Sequence, residues 1–414
     1  MDRAELRSRL EAWLNSLDKK LERLLLLPPD YTRFNSGAGV IVQELYDILG
    51  KSAEIDIMPA LGCHEPMSDA EIETMFGAGI PKDRFIHRNW RTDVVKLGEV
   101  PAEFVREVSD GRLDFSIEVE IDPRILDSKY DLVISIGQVV PHEVVGMANY
   151  TKNVLVGCGG KGMIDKTHFL GAVSGMEQLM GRDHSSVRKV FDYAEEQFLK
   201  DLPIEYILTV TTTKGDVTTI EGLFLGRSRA NFEQAVALSQ EKNLDLLDEP
   251  LKKVVAYLEP DHFKSTWVGN KSIYRLRMAM ADGGELLIIA PGVRHFGEDP
   301  LIDELIRKYG YRGTPYTLEM VEKNKDLQEN LSAAAHLIHG SSEGRFRIVY
   351  APGHLTKEEV EGVGFEYRDI NEVLKLYDPA KLQDGFNTVN GEQVFFVSNP
   401  ALGLWAVREK FERT

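Results

Sequence analysis

A chain of 414 residues with 43% apolar and 28% charged side chains has the composition of a globular protein of two or three domains, which excludes intrinsic disorder and fibrous repeats. Its 49 lysines and arginines against 66 acids leave a net charge of −17 and no basic excess to neutralise a phosphate backbone, so nucleic acid is not an expected partner. A small anion stays compatible, because local arginines and lysines bind such groups whatever the net charge.

Two cysteines, Cys63 and Cys158, without a C-x-x-C pair provide neither a disulfide framework nor a zinc cage. The N-terminus carries charges throughout and lacks the apolar core of a signal peptide, and no apolar stretch of about 18 residues is present to span a bilayer. A cytoplasmic protein with no membrane association is expected.

Leu6, Leu10, Trp13, Leu14, Leu17, Leu21 and Leu24 recur at three- and four-residue intervals, which predicts an amphipathic helix over 2–24 capping the first domain. Short apolar runs then alternate with helical stretches: AEIDIMPAL before SDAEIETMFG, YDLVISIG, KVVAYLEP, GELLIIAPG before DPLIDELIRKYG, and RFRIVYAPG before TKEEVEGVG. Such alternation predicts an α/β fold of two domains, each with a mainly parallel sheet flanked by helices. Ser68 with Glu71 has the form of a capping box, placing a helix start at Ser68. The acidic stretch NLDLLDEPLKK sets a domain boundary near 250, giving domains 1–250 and 251–397. The final segment 398–414 reads as a helix returning to the first domain.

Ligands of open α/β sheets bind beyond the carboxyl ends of strands. Two histidines occupy such positions: His64, in Gly62-Cys63-His64-Glu65-Pro66 after IDIMPAL, and His142, in Pro141-His142-Glu143 after DLVISIG. Singly, each reads as a hydrogen-bonded structural residue; the matching contexts mark a candidate site. Lys152 follows His142 by ten residues and His168 follows Lys152 by sixteen, with VGCGGKG between them. That run is no P-loop, no dinucleotide fingerprint accompanies it, and H-E-x-x-H is absent. Its glycines are expected to supply positive φ angles for a loop that folds back. Asp30-Tyr31-Thr32-Arg33 adds a planar cation suited to phosphate or carboxylate, with an acid beside it.

Together these four elements resemble the nickel-dependent lactate racemase superfamily. The D-x-T-R motif is matched by Asp30, Thr32 and Arg33, with Phe34 where a proline usually follows. His64 matches a histidine in a G-x-H-x-P context, His142 one in P-H-x-x-x-G, and Lys152 and His168 match the lysine and histidine beyond. The resemblance implies a nickel-pincer nucleotide, a pyridinium-3,5-bisthiocarboxylic acid mononucleotide carrying nickel, bound covalently at Lys152. His168 would ligate the metal, and Asp30, Thr32 and Arg33 would hold the nucleotide's polar parts. It implies cofactor biosynthesis proteins as partners, and a recombinant protein without the cofactor when those are missing.

The implied activity is inversion at C2 of a 2-hydroxy acid by hydride transfer through a 2-keto acid, in an interdomain cleft. His64 and His142 would be the catalytic acid and base, because each stereoisomer presents its hydroxyl in a different direction. The second domain departs from the family's Y-Q-x-x-K segment: Arg275 and Met278 stand at the glutamine and lysine positions. Lys271, Arg275 and Arg277 are the candidate carboxylate-binding cations. The polar stretch from His336 and His339 through Ser341, Ser342, Glu343 and Arg345 is a candidate for hydroxyl recognition. These features resemble the sugar-acid 2-epimerase branch, with gluconate and mannonate as the leading pair. A racemase of lactate or malate is the alternative, followed by a non-catalytic sugar-acid or cofactor-binding protein; an enzyme using free NAD lacks its glycine fingerprint.

Overall fold

The computed structural model describes residues 1–62, 64–214, 217–401 and 403–413. The chain divides into two compact units: Met1–Leu170 with Leu179–Asn243, and Gly171–Gln178 with the chain from Leu244 onward. Both are α/β, with mainly parallel sheets flanked by helices.

In the first unit, strands β1 (Arg23–Leu27), β2 (Glu54–Ile57), β3 (Leu132–Gln138), β4 (Ile204–Lys214) and β5 (Val217–Leu225) lie in the order β2-β1-β3-β4-β5. All neighbours are parallel except β4 and β5. Leu24 to Leu27 and Leu132 to Ile134 are almost fully buried, as strands covered on both faces require. The helix Arg3–Ser16 packs Leu6, Leu10, Trp13 and Leu14 into this core.

That helix is shorter than its leucine spacing predicts. Asp18 has φ 45°, and the chain then enters β1, so Leu24 is a strand residue. An apolar run of four leucines before Pro28-Pro29 has no periodicity that separates a buried strand from a helix, and the sheet decides. The helix Asp69–Phe76 starts as expected, with Ser68 and Glu71 forming a capping box.

In the second unit, β6 (Leu251–Tyr257), β7 (Met280–Ala290), β8 (Arg347–Pro352), β9 (Glu366–Tyr367), β10 (Gly385–Val389) and β11 (Glu392–Val397) lie in the order β9-β8-β7-β6-β11-β10. Only β10 and β11 are antiparallel. The C-terminal segment differs from its expected role. Trp405–Val407 is a strand paired in parallel with Asp245–Leu247, and the helix follows only at Arg408–Arg413. Both strands lie in the second unit, whose longer segment begins at Leu244. Aromatic Trp405 and β-branched Val407 suit a strand pair better than the predicted helix over 398–414.

Candidate active site

Asp30 ends the bend after β1. Its carboxylate accepts from the Thr32 amide at 3.1 Å and the Thr32 hydroxyl at 2.5 Å, forming an Asx turn that opens the short helix Tyr31–Ser36. Its other oxygen accepts from Nδ1 of His64 at 2.5 Å. Asp30 is buried at 6% side-chain exposure and His64 half exposed at 51%. Burial pushes the Asp30 carboxyl up, but the hydrogen bond and charge of His64, with Thr32 and Arg33, outweigh it and hold it below the ordinary aspartate range. With Nδ1–H donating, the lone pair of His64 is on Nε2.

His142 follows β3 in a short antiparallel bridge, Pro141–His142 against Gly146–Met147, and is buried. Its Nδ1 accepts from the Val144 amide at 3.1 Å, so the neutral ring carries its proton on Nε2. Burial first, then the charge of Lys152, drive its pKa well below that of an ordinary histidine; Glu143 opposes this, and Arg33 and His168 add to it.

Lys152 directly precedes a π-helical turn, Asn153–Gly157, and His168 projects from the helix Lys161–Ser174. Nδ1 of His168 donates to the Ile164 carbonyl at 2.6 Å, leaving the lone pair on Nε2. Burial lowers its pKa, the Ile164 bond opposes that, and the Lys152 charge lowers it again. A neutral imidazole with an anchored Nδ1–H and an open Nε2 is the state that ligates a metal. His142, Lys152, His168, Arg33 and Glu143 thus share one electrostatic neighbourhood, and Arg33 also acts on Asp30, the partner of His64.

The glycine run between Lys152 and His168 works differently from expected. Gly157, Gly159 and Gly160 do not have positive φ. They permit close approach: a Cβ on Gly159 would lie 1.9 Å from the Leu155 carbonyl oxygen, and one on Gly160 2.4 Å from Oε2 of Glu120. The segment is also held by a residue that carried no sequence signal. Arg88, fully buried and paired with the equally buried Asp122 at 3.3 Å, donates to the carbonyls of Gly157, Cys158 and Gly159 at 2.9 to 3.1 Å. Burial pushes the Cys158 thiol up to about 12, so it is inert packing rather than a nucleophile. Cys63 lies outside the described residues.

In the second unit Lys271 and Arg275 lie on the helix Lys271–Leu276, and Arg277 follows it. Arg275 and Arg277 are buried. Arg277 donates to Glu177 at 3.2 Å and to the His339 carbonyl at 3.4 Å, so an intramolecular acid already engages this cation. The polar stretch beyond is similarly engaged. His336 bonds the hydroxyls of Tyr274 and Tyr311 at 2.7 and 2.9 Å and stacks on Trp267, and burial drives its pKa down to about 3. Ser341 donates to Glu343, Glu343 accepts from Thr314, and Arg345 bonds Asp282 and Glu177. A one-dimensional reading sees these groups as available to ligand hydroxyls and cannot see the partners that fold onto them.

Residues 7–181 match the family described as the Lactate racemase N-terminal domain. Asp30, Thr32, Arg33, His64, His142, Lys152 and His168 all fall within that span. Among solved structures, the chain is similar to a protein from Thermotoga maritima, with a TM-score of 0.82, 22% identity and 99% of each chain covered. It is also similar to the lactate racemase apoprotein from Thermoanaerobacterium thermosaccharolyticum, with a TM-score of 0.73, 16% identity, and 98% of this chain and 93% of that one covered. The chain therefore has the lactate racemase fold. No curated protein matches its sequence.

Proposed function

We propose that the protein is an isomerase, a racemase or epimerase of a 2-hydroxy acid, working with a nickel-pincer nucleotide carried on Lys152. The observation that supports this most is the pair of neutral imidazoles, His142 buried and His168 partly buried, each acted on by the charge of Lys152. The residues fit the group. Among the described residues no three metal-type side chains cluster to hold an ion by themselves, so a metal at His168 would draw its remaining donors from a bound group. His168 offers an imidazole Nε2 whose lone pair is open, and Lys152 an amine for covalent attachment. When bound, the nucleotide supplies a softly ligated metal and an acceptor for the hydrogen on C2.

The chain's own part is proton handling. His64, oriented by Asp30, takes the substrate's hydroxyl proton on Nε2, and the Asp30 carboxylate stabilises the imidazolium that results. His142 presents Nε2–H to the C2 oxygen as a neutral donor. For the opposite isomer, whose hydroxyl faces His142, that ring must exchange its Val144 bond for a proton on Nδ1 before Nε2 can accept one. Thr32 and Arg33 remain the proposed contacts to the nucleotide, whereas Asp30 is given to His64. Lys271, Arg275 and Arg277 are the proposed carboxylate cations, with Glu177 beside Arg277.

Resemblance to the sugar-acid branch favours a six-carbon aldonate such as gluconate or mannonate. A second reading, a short acid such as lactate or malate, is favoured by the internal bonding of Ser341, Glu343 and Arg345, which removes three candidate hydroxyl contacts. Protein made alongside the cofactor enzymes, given gluconate, mannonate, malate and lactate and followed by proton NMR at C2, separates the two. Each polar group left unpaired against a short substrate costs about 1–3 kcal/mol, so an aldonate enzyme should prefer its substrate roughly a hundredfold or more. No conversion of any of the four by nickel-loaded protein would favour a binding or storage role.

A further inference from the structure

Two consecutive non-glycine residues, Asn149 and Tyr150, have φ of 64° and 57°. The left-handed region is sterically unfavourable for residues with a Cβ and persists where surrounding structure enforces it. The pair ends two positions before Lys152, so it sets the direction in which the chain enters the π-helical turn.

The Tyr150 amide donates to Asn149 Oδ1 at 2.7 Å and the Tyr150 hydroxyl to the Arg227 carbonyl at 2.9 Å, and Arg188 grips the backbone around the pair. This side chain is fully buried on the helix Ser186–Ala194, and no carboxylate bonds it in the described contacts. Its guanidinium donates to the carbonyls of Met147 at 2.7 Å and Asn149 at 3.2 Å and to the Thr151 hydroxyl at 2.8 Å. Those three acceptors bracket the strained pair on both sides. The same helix is fastened to this stretch at its start, where Ser185 caps the Arg188 amide and donates to the Val145 carbonyl at 2.8 Å. Arg188 lies over the Phe232 ring at 4.6 Å, and the Tyr150 ring stacks on the same Phe232 at 5.0 Å. Burying a guanidinium among neutral acceptors is costly, and a helix seeking only to pack would use an apolar residue there.

We propose that Arg188 is a positioning residue for Lys152, holding the left-handed pair Asn149 and Tyr150 so that the lysine amine is aimed for covalent attachment. The aiming of an attachment amine rests on the function proposed above; the clamp on the backbone does not. The test uses Arg188→Met, Arg188→Lys and Thr151→Val, the last removing one acceptor at nearly constant volume. As a control, Val360→Ala in the second unit destabilises without touching this segment. In protein without cofactor, amide exchange over 147–152 and acetylation of Lys152 by acetic anhydride, relative to the other lysines, are read by peptide mass mapping. Protein made with the cofactor enzymes is weighed for adduct.

Loss of one such hydrogen bond corresponds to roughly tenfold faster local exchange, so Arg188→Met should exceed that, with Thr151→Val near it and Arg188→Lys between wild type and Arg188→Met. Relative Lys152 acetylation should change several-fold in the same order while Val360→Ala leaves it unchanged. Unchanged exchange and acetylation in folded Arg188→Met would overturn the proposal, and if that variant does not fold, unchanged values in Thr151→Val would do so. A wild type that shows the clamp but never carries an adduct would count against the cofactor role of Lys152 and leave the clamp standing.

Discussion

Asp30 and His64, 34 positions apart in the chain, meet through a 2.5 Å bond between a buried carboxylate and the Nδ1 of a half-exposed imidazole. The contact makes the D-x-T-R motif part of the proton-handling apparatus. Asp30 has a depressed pKa, so its contribution to stability is present above the ordinary aspartate range and lost as pH falls through and below it. Asp30→Asn should therefore lower Tm at pH 6 and narrow the difference from wild type toward pH 3. A constant difference across that range, followed by calorimetry, would mean that the carboxylate is not held by His64.

The resting tautomers of the two histidines should be opposite. Nitrogen-15 NMR of the apoprotein at neutral pH is expected to show the proton of His64 on Nδ1 and that of His142 on Nε2, because one ring donates to Asp30 and the other accepts from Val144. Asp30→Asn should disturb only the first. Identical tautomers in the wild type would remove the distinction drawn between the two roles.

Arg88 should be among the least replaceable residues of the first unit. Arg88→Met leaves buried Asp122 with Arg124 as its remaining guanidinium partner, at 2.9 Å, and frees three carbonyls of the glycine-rich segment, each buried acceptor left unpaired costing about 1–3 kcal/mol. Urea denaturation reads the loss, and a cost for Arg88→Met below about 1 kcal/mol, the level of an exposed pair, would contradict the placement.

Buried neutral histidines give the fold a second pH dependence. His142 and His336 have pKa values far below that of an unfolded histidine, so the unfolded state takes up protons that the native state refuses. Stability should fall as pH drops below about 6.5, with a slope approaching 1.4 kcal/mol per pH unit for each such histidine. His336→Gln should flatten the slope over pH 6.5 to 5. An unchanged slope would show that His336 accepts a proton in place.

Much of this was legible in the chain itself, and the misses share a cause. The alternation of IDIMPAL, DLVISIG, ELLIIAPG and RFRIVYAPG with helical stretches foretold two parallel sheets, and Ser68 with Glu71 foretold a helix start, because these signals are local. The leucine spacing extends the predicted helix to Leu24, which lies instead in the strand Arg23–Leu27, because burial on both faces erases periodicity there. Arg88 and Arg188 were invisible because their partners are backbone carbonyls about 40 to 70 positions away, a choice no residue pattern encodes. Likewise the sequence presents Arg277 as a carboxylate-binding cation and Arg345 as part of a hydroxyl-recognising stretch, although the distant Glu177 engages both.

The central claim is that Lys152 and His168 carry a nickel-bearing group, and the most direct measurement is intact mass with metal content for protein produced alongside the cofactor enzymes. Wild type is predicted to show a covalent mass addition and nickel, Lys152→Ala neither, and His168→Ala the addition with nickel occupancy reduced, because one imidazole supplies the protein's only donor. An adduct that persists in Lys152→Ala, or nickel that His168→Ala retains in full, would contradict the account.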